Sequence, residues 1–183
     1  IYLLQTGRTE EALDMINDRI KKRPNSAFIY TKKAETLFHL ARYEEAFDLL
    51  ESKDSLIIRH LASLREAAKL CFYLQNYERS KWYLEQYMVK NKERPPIIIW
   101  LKALHNSLED NTTELESNLN ILRSQYLEEV SGSPAWFLAL YYCWSGDREK
   151  AFEWLQKSYD RHEVEMIWLR EESVLIPLRS DPR

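Results

Sequence analysis

An all-α array of paired helices is the fold this sequence predicts, and three observations predict it. The first is a repeat: the pattern Arg8-Thr9-Glu10-Glu11-Ala12-Leu13-Asp14-Met15-Ile16 returns 34 residues later from Arg42 to Leu50, and 34 later again from Asn76 to Leu84. A further copy, Gly146 to Leu155, puts Ala151 71 residues after Ser80, which leaves room for one more unit. A period of this length marks stacked helical pairs. The second is the spacing of apolar residues at three and four, as in Tyr30, Ala34, Leu37 and Leu40. The third is the presence of only three glycines in 183 residues, too few for tight-turned strands or phosphate-cradling loops.

The elements follow in order. Gly7 to Pro24 reads as one helix between two breakers, with Lys21-Lys22-Arg23 at its C-terminus, where cations complement the helix dipole. In the second unit Asn25-Ser26 offers an N-cap after Pro24, and a short turn at Ala41-Arg42 leads to the partner helix. That helix turns Ala46, Leu49 and Leu50 inward and Glu44, Glu45, Asp48 and Glu51 to water. The recurring small residue, at Ala12, Ala46, Ser80 and Ala151, stands where antiparallel helices approach too closely for a larger side chain.

These residues resemble the tetratricopeptide repeat. The second unit supplies Tyr30, Ala34, Leu37, Tyr43, Ala46 and Leu50; the first supplies Gly7, Ala12, Ile16 and Pro24; the fifth supplies Leu138, Ala139, Tyr142, Gly146, Asp147, Ala151 and Leu155. The third matches through Leu64, Ala67, Ala68, Cys71, Tyr77, Ser80 and Leu84, with a late Pro95-Pro96. In the fourth, Trp100, Ala103, Leu104 and Ser107 fit the first helix, and Thr113-Glu114-Leu115-Glu116 reads as a capping box for the second, but no Ala stands at the small position. The resemblance implies a right-handed superhelical solenoid of about five repeats (about 1–24, 25–58, 59–94, 95–130 and 131–162) with a capping segment over 163–183. The closing stretch Trp168 to Arg183 is similar to the ends of such regions in bacterial signalling proteins, where a nucleotide cyclase or winged-helix domain precedes the repeats. The chain opens at Ile1 without Met and reads as a piece of a longer protein.

Composition narrows the function classes. A formal net charge of −3 and a pI near 5.9 give no electrostatic footprint for nucleic acid. The longest apolar run, Ala135 to Trp144, falls short of the roughly 18 residues that span a bilayer. Cys71 and Cys143 lie inside apolar segments and read as buried thiols of a reducing, cytoplasmic compartment. His39, His60, His105 and His162 stand apart, so neither metal nor cofactor is expected. Adjacent acids at Glu10-Glu11, Glu44-Glu45 and Glu171-Glu172 point in different directions on a helix and form no catalytic pair. Ser131-Gly132-Ser133 lacks the preceding strand of a nucleophile elbow and reads as a loop opening a helix. No enzyme is expected in this chain.

A binding role remains. Groove positions implied by the resemblance are Phe28, Thr31, Glu35, Phe38 and His39, then Ala62, Arg65, Lys69, Phe72 and Tyr73, then Leu101 and His105. Thr31 and Glu35 stand where a carboxylate-clamping member would carry Lys and Asn, so that clamp is not reproduced. Arg65 and Lys69 beside Phe72 and Tyr73 suit an extended peptide with an acid and an apolar anchor, or form an ordinary solvated face. Trp82 occupies the position of Asp14, Asp48 and Glu153; with Tyr83 and Gln86 it marks either a self-association surface for a homodimer or a face turned against a neighbouring helix. The function classes are a protein-interaction or scaffolding module of a bacterial signalling protein, and a peptide- or ligand-sensing domain controlling an attached output domain. Finally, the helix from Ala135 to Trp144 has no polar face and demands cover on every side. Residues 163 to 178 are expected to fold back over the fifth unit, partly helical to about Glu172 and extended thereafter, with Trp168 largely buried.

Overall fold

The computed structural model describes residues 6–182, and those residues form ten α-helices and two 3₁₀ segments with no strand among them. The chain divides into two compact units, Ile1–Glu93 and Arg94–Arg183.

In the first unit α1 (Thr9–Lys22) packs on α2 (Ala27–His39), α2 on α3 (Tyr43–Ser52), and α5 (Leu61–Tyr73) on α6 (Tyr77–Lys90). The one-turn helix α4 (Asp54–Ile57), which the repeat pattern does not announce, fills the connection before α5 and buries Ile57 completely. Ala46 and Leu50 of α3 and Ala67 and Ala68 of α5 are fully buried, as close helix approach requires. Size alone does not explain Ser80: its buried hydroxyl donates to the Ala68 carbonyl at 2.8 Å, tying α6 to α5.

In the second unit α7 (Pro96–Leu108) pairs with α8 (Thr112–Leu127), and α9 (Pro134–Trp144) with α10 (Arg148–Asp160). The predicted capping box at Thr113 is corrected. Asn111 is the cap, its side-chain oxygen accepting from Glu114 N, and the helix starts two residues earlier than a Thr113 cap implies. The Ala46-like position in this unit is Leu115, only half-buried, while Asn118 and Leu119 take the buried place. Every residue of α9 from Pro134 to Cys143 is buried, against α7, α8, α10 and the second 3₁₀ segment.

The first helix of each pair ends in one conformation. Ala41, Gln75, Asp110 and Gly146 adopt φ of 57°, 59°, 55° and 87°, and Gly7, before α1, has φ 72°. The left-handed residue stops one helix and aims the next, although only two of these five positions carry the glycine that adopts it without strain.

The tail departs from expectation in two ways. It forms 3₁₀ segments over Val164–Trp168 and Ser173–Leu178, the second containing Pro177, where extended chain is expected after Glu172. Trp168 is half-buried, not largely buried; Leu175 and Leu178 are the buried apolar side chains of the second segment, which packs on α9. The 3₁₀ spacing of three places Leu175 and Leu178 on one side. The tail is pinned at α9's first turn, where Glu163 accepts from Ala135 N at 3.1 Å, Trp136 N at 2.8 Å and Ser158 Oγ at 2.8 Å. Ser133, at φ 60°, donates its hydroxyl to Glu165.

Candidate functional site

The first unit brings a row of aromatic and charged side chains together on α2 and α5. Residues three and four apart share a helix face, so Phe28, Lys32, Glu35 and Phe38 align along α2 as Arg65, Lys69 and Tyr73 do along α5. Phe28 is 46% exposed, with the Lys32 ammonium 5.8 Å from its ring centroid. Lys32 Nζ pairs with Glu35 at 2.7 Å, both side chains mostly covered. Burial alone would push the Glu35 carboxyl up, but Lys69, then Lys32 and His39, outweigh it and hold that carboxyl below the usual carboxylate range.

Lys69 leads to the aromatic end of the row. Its ammonium lies 5.9 Å from the Tyr73 ring, and Tyr73 meets Phe38 at 5.9 Å, which also touches His39 at 5.7 Å and Tyr43 at 5.5 Å. Arg65 Nε and Lys69 Nζ each stand 3.6 Å from the Glu66 carboxylate, beyond hydrogen-bond length. Arg65 Nε is buried and has no hydrogen-bond acceptor. The Glu66 carboxylate thus stands between two cations.

Four of the expected groove residues present no surface. Thr31 is 2% exposed, its hydroxyl donating back to the Phe28 carbonyl, and Phe72 is 4% exposed. Leu101 and His105 on α7 are likewise buried, and they belong to the other compact unit. Position counting includes them because it places a residue on a face without weighing how deep that face lies. Phe28, Glu35, Phe38, His39, Arg65, Lys69 and Tyr73 are the ones brought together, with Ala62 half-buried near the start of α5. Lys32, Tyr43 and Glu66 were missed; the ion pairs Lys32–Glu35 and Glu66–Lys69 are visible in the sequence as opposite charges three residues apart.

The Trp82 surface also changes. Tyr83 is fully buried, its hydroxyl donating to the Leu50 carbonyl at 3.3 Å and to Asp54, and burial pushes that hydroxyl's pKa up. It offers nothing to a second copy. Trp82 and Gln86 are half-buried, and the Arg79 guanidinium stacks 4.1 Å from the Trp82 ring centroid while pairing with Asp54. Among the described residues no His, Cys, Asp or Glu cluster of three is placed to hold a metal ion, and no helix is long and apolar enough to cross a membrane.

Residues 5–86 match the family model described as anaphase-promoting complex, cyclosome, subunit 3, a family of tetratricopeptide-type repeats. The match spans α1 to most of α6, and the all-helical pairing agrees with it. No curated protein matches the chain. Repeats of this type are generally non-catalytic and bind protein partners.

Proposed function

We propose that these tetratricopeptide-type repeats form a non-catalytic scaffolding module whose first unit holds an extended segment of a partner protein against α2 and α5. The observation that carries this reading is the continuous row from Phe28 through Lys32, Glu35 and Lys69 to Tyr73 and Phe38. Half-covered aromatic rings supply contact area at low entropic cost, and the Arg65 side chain, 35% exposed, supplies directional donors for a partner carboxylate. A segment with an acidic residue next to an apolar one fits both. The matching family is named for a subunit of a multi-subunit complex, which supports an assembly role. A regulatory role beside a bacterial cyclase or DNA-binding domain draws only on the resemblance of Trp168 to Arg183.

The test is site-specific photocrosslinking in the cells that produce the protein. Benzoylphenylalanine at Phe38 should yield a discrete adduct that Arg65→Glu with Lys69→Glu abolishes, while the same group at exposed Glu10 should not. Equal labelling at both positions defeats the proposal.

A further inference from the structure

On the opposite helices of the first unit, Phe47, Glu51, Asn76, Glu78, Arg79, Lys81, Trp82 and Glu85 line a surface depression formed between α3 and α6. Its aromatic floor is pre-set. The Trp82 ring is stacked by Arg79 at 4.1 Å and met edge-on by Tyr83 at 5.0 Å, and Tyr83 is itself immobilised by its bonds to Leu50 and Asp54. The charge on Arg79 is taken up by Asp54 beneath it, with Glu51 4.0 Å away. Around the rim stand three carboxylates, Glu51, Glu78 and Glu85, all exposed, against the single further cation Lys81.

Two requirements define what fits. An occupant must lie against an indole ring and must bring positive charge to an excess of carboxylates. An apolar segment would desolvate the acids without compensation, and an acidic one would be repelled. A lysine or arginine side chain meets both conditions, its methylene stem covering Trp82 and Phe47 and its head reaching the carboxylates. We infer that this depression is a second docking site, separate from the α2–α5 face, that takes a Lys- or Arg-bearing segment of a partner protein.

The test uses the full chain with 5-fluorotryptophan incorporated, the Trp82 ¹⁹F resonance being assigned by Trp82→Phe. The probe is the blocked peptide acetyl-Gly-Ser-Arg-Lys-Arg-Ser-Gly-amide, with its Arg and Lys replaced by Glu in the control peptide. The basic peptide should shift the Trp82 resonance saturably, and Glu51→Gln with Glu85→Gln should weaken binding about tenfold. Glu10→Gln with Glu11→Gln should leave it unchanged, and Glu78→Gln, at an exposed rim position, gives an independent reading should the double variant fold poorly. No shift at Trp82, equal binding by the Glu51/Glu85 variant, or equal response to the acidic peptide overturns the inference. So does a Trp82 shift that depends on protein concentration without peptide, since the occupant is then a second copy.

Discussion

Replacing Glu163 by Ala removes one carboxylate that closes the first turn of α9 from 28 residues away in sequence. Pro134 has no N–H, and Phe137 N already bonds to Ser133 O at 3.2 Å, so Ala135 and Trp136 carry the donors without an intrahelical acceptor. Both residues are almost wholly buried, at 0% and 2% exposure, which denies water easy access to the vacated donors. A lost N-cap costs about 1 kcal/mol, and leaving a buried donor unsatisfied adds about 1–3 kcal/mol. The Ser158 hydroxyl is stranded as well. The expected loss is about 3 kcal/mol, with Glu163→Gln at roughly half that because it keeps an acceptor but gives up the charge. Equilibrium urea unfolding of the full chain, followed by far-ultraviolet circular dichroism, measures the loss, and two compact units make separate transitions resolvable. Amide hydrogen exchange at Ala135 and Trp136 should accelerate in the same variant while Ala67 and Ala68 keep their rates. A stability change below about 0.5 kcal/mol, or unaltered exchange at those two amides, refutes the reasoning.

Two further outcomes follow from buried groups. Because Glu35 has a folded-state pKa held below its unfolded value, its stabilising contribution is present above the ordinary glutamate range, about 4.3, and is lost as pH falls through the depressed value. The stability gap between the parent and Glu35→Gln should therefore shrink from pH 7 towards pH 3; a gap independent of pH contradicts the ion cluster. Cys143 donates to the Val174 carbonyl at 3.0 Å beneath the tail, and burial raises its thiol pKa; Cys71 is pushed up to about 12, by burial first and Glu51 second. In the native chain both should react slowly with Ellman's reagent at pH 8, and Leu175→Asp should speed Cys143 alone; equal acceleration of Cys71 counts against a locally lifted tail.

The helix pairs were legible because their cause is local. The apolar spacing acts within one or two turns, and the small residues Ala46 and Ser80, returning at the 34-residue period, mark where neighbouring helices meet. The fourth unit was harder to read, since Asn118 is buried by bonding its own helix carbonyl at Glu114, a use of polarity that no apolar pattern signals. Helix α4 and the 3₁₀ tail escaped for another reason: short elements carry too few residues to establish a period. On the candidate surface, which helix face a residue occupies was readable, but its depth was not. Thr31 and Phe72 sit at positions counted as outward and are sealed by neighbours that only the folded chain supplies. Lys32 and Glu66 lay in plain view as charge pairs and were passed over because the resemblance assigns them no place.

The left-handed residues that close the first helices have a consequence for how such a chain changes over time. The demand at Ala41, Gln75 and Asp110 falls on a backbone angle, and a side chain there tolerates it at a cost of about 1 kcal/mol relative to glycine. Successive pivots from Gly7 to Gly146 stand 34, 34, 35 and 36 residues apart, so each unit resets its own phase whatever length its neighbour has gained. Drift in length is absorbed one pair at a time, and the identity of the letter on the pivot is free to wander. Kinship among chains of this construction is therefore better traced by the interval between pivots than by the residues standing on them.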